Sequence, residues 1–161
     1  MRRPLLLVLL VLAVVGPVGA ARDSRIADLW LNGRDRPDPA VVGERLTYTV
    51  YIRNKGPNAA KGVRLSGQVG RVGASMRRAL VVLSLKGKGC RKLASGTSPV
   101  ISFTCALRTM PAHTRLIVSA VVRPTGAGTF RLAAFVSSAT PFHPATEVRR
   151  HLEIKTTVRR R

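Results

Sequence analysis

RLTYTVYIRN, residues 45–54, is the stretch that most narrows what this chain can become. Leu46, Tyr48, Val50 and Ile52 fall on one side of an extended chain, and Thr47, Thr49, Tyr51 and Arg53 on the other. A period of two is the geometry of a strand, and apolar-in, polar-out alternation marks an antiparallel strand buried on one face only. Helical periodicity is nearly absent elsewhere, and Gly and Pro recur often enough to break a long amphipathic helix.

Short runs rich in Val, Leu, Ile and Thr follow one another, separated by turn formers. ADLWL (27–31) comes before the long strand, and NGRDRPDPAVVGE (32–44) reads as a connection between the two. After it come KGVRLSGQV (61–69), ALVVLSLKG (79–87), VISFTCAL (100–107), RLIVSAVVRP (115–124), TFRLAAFVSS (129–138) and EVRRHLEIKTTV (147–158). About seven to eight strands at this spacing predict an all-β antiparallel sandwich or barrel. NKGPNAAKG, beginning at Asn54, is expected to be a loop: Asn54 and Gly56 tolerate left-handed backbone angles, and Pro57 cannot donate to a ladder. Trp30 is expected to pack against the core, as large aromatics in sandwiches do.

The first residues read differently. MRRP is basic, Leu5 to Val15 is an unbroken apolar run, and GPVGAA ends it with a breaker and small residues. These are the three parts of a secretory signal peptide, with cleavage expected after Ala20 or Ala21. The run is shorter than the roughly 20 apolar residues that span a bilayer. Residues 1–20 are therefore read as a signal peptide and 21–161 as one β-sandwich domain, secreted or associated with the cell surface. No transmembrane segment is expected in the mature chain.

Export bears on Cys90 and Cys105, the only two cysteines. An oxidising compartment allows them to pair, closing a loop that stabilises by roughly 3 kcal/mol on the chain-entropy view. A reactive thiol and a metal pair are the alternatives. His113, His143 and His151 stand in no zinc-ligand pattern.

The formal charge is +21; taking Arg2 and Arg3 away with the leader leaves 26 basic and 7 acidic side chains, or +19. A chain so basic adheres to polyanions, although its Arg, Ala, Gly and Val content is also what a GC-rich genome encodes. RRR at Arg159, Arg160 and Arg161 and the pair Arg77 and Arg78 are the local runs, and hence the candidate polyanion contacts. Aromatics are too few for a base-stacking surface, so specific nucleic-acid recognition is not expected. Asp35, Asp38 and Glu44, flanked by Arg34, Arg36 and Arg45, are expected to form surface ion pairs. His143 is expected to be a loop residue. No phosphate loop, nucleophile elbow or metal-binding His pair is present; no catalytic, metal or cofactor-binding residue is assigned, and the chain is read as non-enzymatic.

The order of motifs resembles the bacterial cell-surface repeat family known as domain of unknown function eleven. The likeness rests on Ala27–Leu29, Pro37–Pro39, Val42 with Gly43, Leu46–Thr49, Asn54–Pro57 and Gly62 with Val63. It continues more loosely through Gly89 with Cys90, Phe103–Leu107 and GAGTFRLAAFVSSATPFHPATE. The resemblance implies an immunoglobulin-like sandwich on exported proteins and no enzyme. Members are commonly acidic, and LSGQVGRVG stands where they carry an acidic strand end, so no cation-binding edge is carried over. Two functional readings follow. One is a structural or interaction module offering loops or a sheet edge to an envelope protein; the other is a basic envelope protein that binds acidic polymers: wall glycopolymer, anionic lipid or nucleic acid.

Overall fold

Two mainly antiparallel sheets face each other in a computed structural model that describes residues 26–73, 79–93, 100–142 and 149–161. The described strands are β1 (Leu29–Arg36), β2 (Ala40–Val41), β3 (Leu46–Asn54), β4 (Ala60–Arg71), β5 (Leu80–Lys86), β6 (Cys90–Lys92), β7 (Ile101–Met110), β8 (Arg115–Pro124), β9 (Gly128–Ser137) and β10 (His151–Arg159). One sheet has the order β1-β3-β8-β5 and the other β2-β10-β9-β4-β7-β6, with β2 parallel to β10. The chain changes sheets at every connection except β6–β7 and β9–β10, the β3–β4 and β8–β9 connections among them. These are Greek-key crossings of an immunoglobulin-like sandwich.

The expected alternation builds the core. Leu46, Tyr48, Val50 and Ile52 of β3 are buried and face Leu65, Phe130, Leu132 and Val136 of the other sheet. Gly67 makes room for the Phe103 ring from the paired position of β7, since a Cβ there would lie 2.2 Å from Phe103 Cζ. Gly33 does the same where β1 meets β10: a Cβ would lie 2.7 Å from Leu152 Cδ2.

The structure departs from the sequence reading at several places. It has ten described strands because β2 and β6, two and three residues long, are too short to show a period. Residues 32–36, read as connection, are the second half of β1. There Gly33 and Asp35 take the inward positions between exposed Asn32, Arg34 and Arg36, so no apolar alternation marks the strand. Trp30 is not a core residue: Leu29 and Leu31 take the inward positions and period two turns Trp30 outwards. Neither Asn54 nor Gly56 has a positive φ; the one described non-glycine residue that does is His113, at 58°.

Asn54 earns its place by another route. It is fully buried, and its Nδ2 donates to the carbonyl oxygens of Asn58, Met110 and Pro111 at 2.7, 3.1 and 3.2 Å. Its Oδ1 accepts from the Gly56 N–H at 3.1 Å, and its own N–H donates to Thr114 O at 3.0 Å. The side chain thus ties the β3–β4 loop to the β7–β8 loop.

Candidate functional site

Cys90 and Cys105 are directly opposite one another on β6 and β7 and form a disulfide. The bond links neighbouring strands of one sheet, whereas antibody domains carry theirs between the sheets. It fastens the short edge strand β6, whose Arg91 and Lys92 present charge along that edge.

The candidate arginine runs fall apart as a set. Arg77 and Arg78 lie outside the described residues, as do residues 1–20 and His143. Arg159 ends β10 and Arg160 and Arg161 follow it, all exposed; Arg161 forms an ion pair with Glu44 at 3.0 Å.

Of the three carboxylates expected to form surface ion pairs, Glu44 does so, with Arg161, while Asp35 and Asp38 accept hydrogen bonds instead. Asp35 turns inward, opposite Tyr48, and accepts a short hydrogen bond from Thr156 Oγ1. Thr156 Oγ1 is 2.9 Å from the Tyr48 hydroxyl. A carboxylate only accepts and each hydroxyl has one proton, so Tyr48 donates to Thr156 and Thr156 to Asp35. Burial, with the charges of Asp35 and Asp38, pushes Tyr48 up to about 12. This chain of polar groups closes the gap between β1 and β10, a structural role. Asp38 Oδ1 accepts from the Thr157 N–H at 3.1 Å, and Asp28 Oδ1 from the Trp30 indole N–H at 2.6 Å. Glu153 pairs with Arg131 and Lys155. Each described carboxylate therefore has a hydrogen-bond or ion-pair partner.

Many described cations have none. On the outer face of the β1-β3-β8 corner, a groove of ≈ 630 Å³ is lined by Trp30, Tyr51, Arg53, Lys55, Arg115, Arg149 and His151, with no carboxylate among the described residues of its wall. Lys55 Nζ lies 3.2 Å and Arg149 Cζ 3.7 Å from the centre of the Trp30 ring. Two groups that close on one face would overlap, so they occupy opposite faces. Tyr51 sits beneath Arg34 and Arg115, at 6.0 and 5.4 Å. The same device recurs where Arg150 lies over Phe135 and Phe142. Every aromatic ring outside the core thus carries a cation.

Arg53 and Arg115 are direct cross-strand partners on that outer face. Like charges directly opposite in an antiparallel pair are destabilising. Sequence reasoning missed this cluster because its cations come from separate strands. The half-buried Trp30 at an outward strand position was the one available signal. Among the described residues no three His, Cys, Asp or Glu side chains come together as a metal site, and no helix is long and apolar enough to cross a membrane.

No family model and no curated protein sequence matches the chain, so membership of the surface repeat family is not established, while the immunoglobulin-like fold it implied stands. Solved structures do match. The CARDB domain of PF1109 from Pyrococcus furiosus, in complex with di-metal ions, aligns with 83% of this chain and 90% of its own at 13% identity and a TM-score of 0.57. A cohesin module from the family 33 glycoside hydrolase of Clostridium perfringens aligns over 85% and 99% at 9% identity, TM-score 0.53. AvmM, which catalyzes macrocyclization in alchivemycin A biosynthesis, aligns over 81% and 88% at 11% identity, TM-score 0.52. At such identities the likeness is one of fold, and fold does not fix function.

Proposed function

We propose that this chain is an exported, non-enzymatic binding module of the bacterial cell surface or secretome that holds acidic polymers of the envelope by charge. The observation that carries this reading is the imbalance of engagement: each described carboxylate has a hydrogen-bond or ion-pair partner, while Arg53, Lys55, Arg115 and Arg149 gather in one groove with no carboxylate among its described residues. The export signal of residues 1–20 and the basic balance of the sequence support the same reading.

Binding of this kind releases counterions and weakens as salt rises. Four contacts at a slope of about 0.7 each imply about a 50-fold loss of affinity between 50 and 200 mM salt. Retention of the full exported chain on native envelopes, measured across that range, is expected to fall steeply; retention that does not change overturns the proposal.

A second reading, docking of an envelope protein on a sheet edge, is favoured by β5. This edge strand is bulged between Val82 and Ser84 and exposes Val81 and Leu83 by 50% and 38%. Capture of a protein partner at high salt that Leu83→Lys abolishes would support it.

A further inference from the structure

We infer that the β1-β3-β8 groove is a discrete site for phosphate groups carried on a linear polymer without bases, with Arg53 and Arg115 as its recognition forks. This rests on the acidic-polymer reading above and gives it a place and a ligand class.

The first argument is the cross-strand pair. Arg53 and Arg115 sit directly opposite on β3 and β8, exposed, in a groove with no carboxylate among the described residues of its wall. A local arrangement that costs stability without compensation inside the fold is what a binding site looks like before its ligand arrives.

The second argument is the role of the aromatics. Trp30 is held by three groups: Lys55 and Arg149 on its two faces and Asp28 on its indole N–H. Both faces are taken, so no base or sugar ring can stack there. Arg115 and Arg34 lie over Tyr51 at the longer distances of 5.4 and 6.0 Å. The rings are therefore pins that fix long cationic side chains. Fixing them beforehand lowers the entropy lost when they grip an anion. Nucleic-acid binding by single strands relies on free aromatic faces, and the largest ring of this groove, Trp30, offers none.

The third argument concerns the anionic group. Arg53, Arg115, Arg149 and Lys55 reach the groove from β3, β8, the turn before β10 and the β3–β4 loop. A carboxylate offers two oxygens and occupies one fork. A phosphate presents tetrahedral oxygens to donors from several directions, and guanidinium forks match it in bidentate fashion. The groove volume of ≈ 630 Å³ falls within the range of small-molecule sites. The Arg159–Arg161 run has no such construction: Arg161 is tied to Glu44, and no ring lies beneath the other two.

Trp30 is the only tryptophan in the chain, so its emission reports on this groove directly. The test titrates the full mature chain with short-chain inorganic polyphosphate, reading Trp30 fluorescence and calorimetric affinity against salt. Wild type is expected to give a saturable change. Arg53→Gln with Arg115→Gln is expected to weaken binding at least about tenfold and to reduce the log–log salt slope by about 1.4, with an unchanged or raised melting temperature. Arg53→Lys with Arg115→Lys, which keeps the charge and loses the forks, is expected to weaken binding while leaving the slope near wild type. Arg159→Gln with Arg160→Gln removes the same charge elsewhere and is expected to stay within about threefold of wild type. Equal losses in the groove and tail variants overturn the site but leave the acidic-polymer reading standing. Absence of wild-type binding to polyphosphate and to envelope polymers at low salt overturns both. A single-stranded oligonucleotide of equal charge that binds the groove as tightly overturns the base-free assignment.

Discussion

Asn54→Ala is expected to loosen the sandwich far more than a loop substitution ordinarily does. The side chain is fully buried, with Nδ2 within 3.2 Å of three carbonyl oxygens and Oδ1 accepting from Gly56. Truncation strands the buried Met110 carbonyl and the Gly56 N–H, each costing about 1–3 kcal/mol when left without a partner. Water entering the opened loop returns part of that, so the net loss is about 3 kcal/mol, or about 10 °C in melting temperature for a domain of this size. Asn54→Asp keeps the shape and the bond from Gly56, but it sets a carboxylate oxygen against three carbonyl oxygens, and is expected to cost at least as much. Urea denaturation followed by near-UV circular dichroism measures both variants, with a constant m-value showing that stability alone has changed. A loss below about 1 kcal/mol for Asn54→Ala, or wild-type stability for Asn54→Asp, would refute the assignment of Asn54 as the tie between the two loops.

Cys90→Ser with Cys105→Ser is expected to lower stability by about 3 kcal/mol, read as the gap between oxidised and reduced protein in the same urea titration; the gap should vanish in the variant. Tyr48 ionises near 12, above its value of about 10 in the unfolded chain. Its contribution is therefore whole below pH 10 and is lost as pH rises towards 12, by about 2–3 kcal/mol in all. Wild type should lose stability over that window relative to Tyr48→Phe, and parallel pH curves would contradict the buried hydroxyl. Gly67→Ala drives a Cβ into the Phe103 ring and is expected to cost about 1–3 kcal/mol. Phe103→Leu in the same chain should recover part of that loss, a coupling that a double-mutant cycle measures.

The strands that alternate cleanly could be read residue by residue. RLIVSAVVRP became β8 over Arg115–Pro124, and the β3 reading differs from the structure by one residue. Reading failed where polar or small residues hold inward positions. Gly33 and Asp35 hide the second half of β1, because one makes room for Leu152 and the other answers Thr156. The size of Trp30 suggests an inward position, although the period that places Leu29 and Leu31 inside excludes it. The candidate site was barely legible. Runs such as Arg159–Arg161 stand out in a sequence, whereas Arg53 and Arg115 are single residues with nothing between them to suggest contact.

What the sequence alone determined is local: extended segments, the side of each strand that faces the core, and the two cysteines able to pair. Alternation is a property of neighbours along the chain, so it survives without knowledge of the fold. Which strands lie side by side, and in what register, depends on closure of a core by residues far apart in sequence, and only the tertiary structure decided it. That register sets Arg53 against Arg115 and brings Lys55 and Arg149 to the two faces of Trp30. It also gathers, from separate strands and turns, a cationic groove that no stretch of the sequence contains.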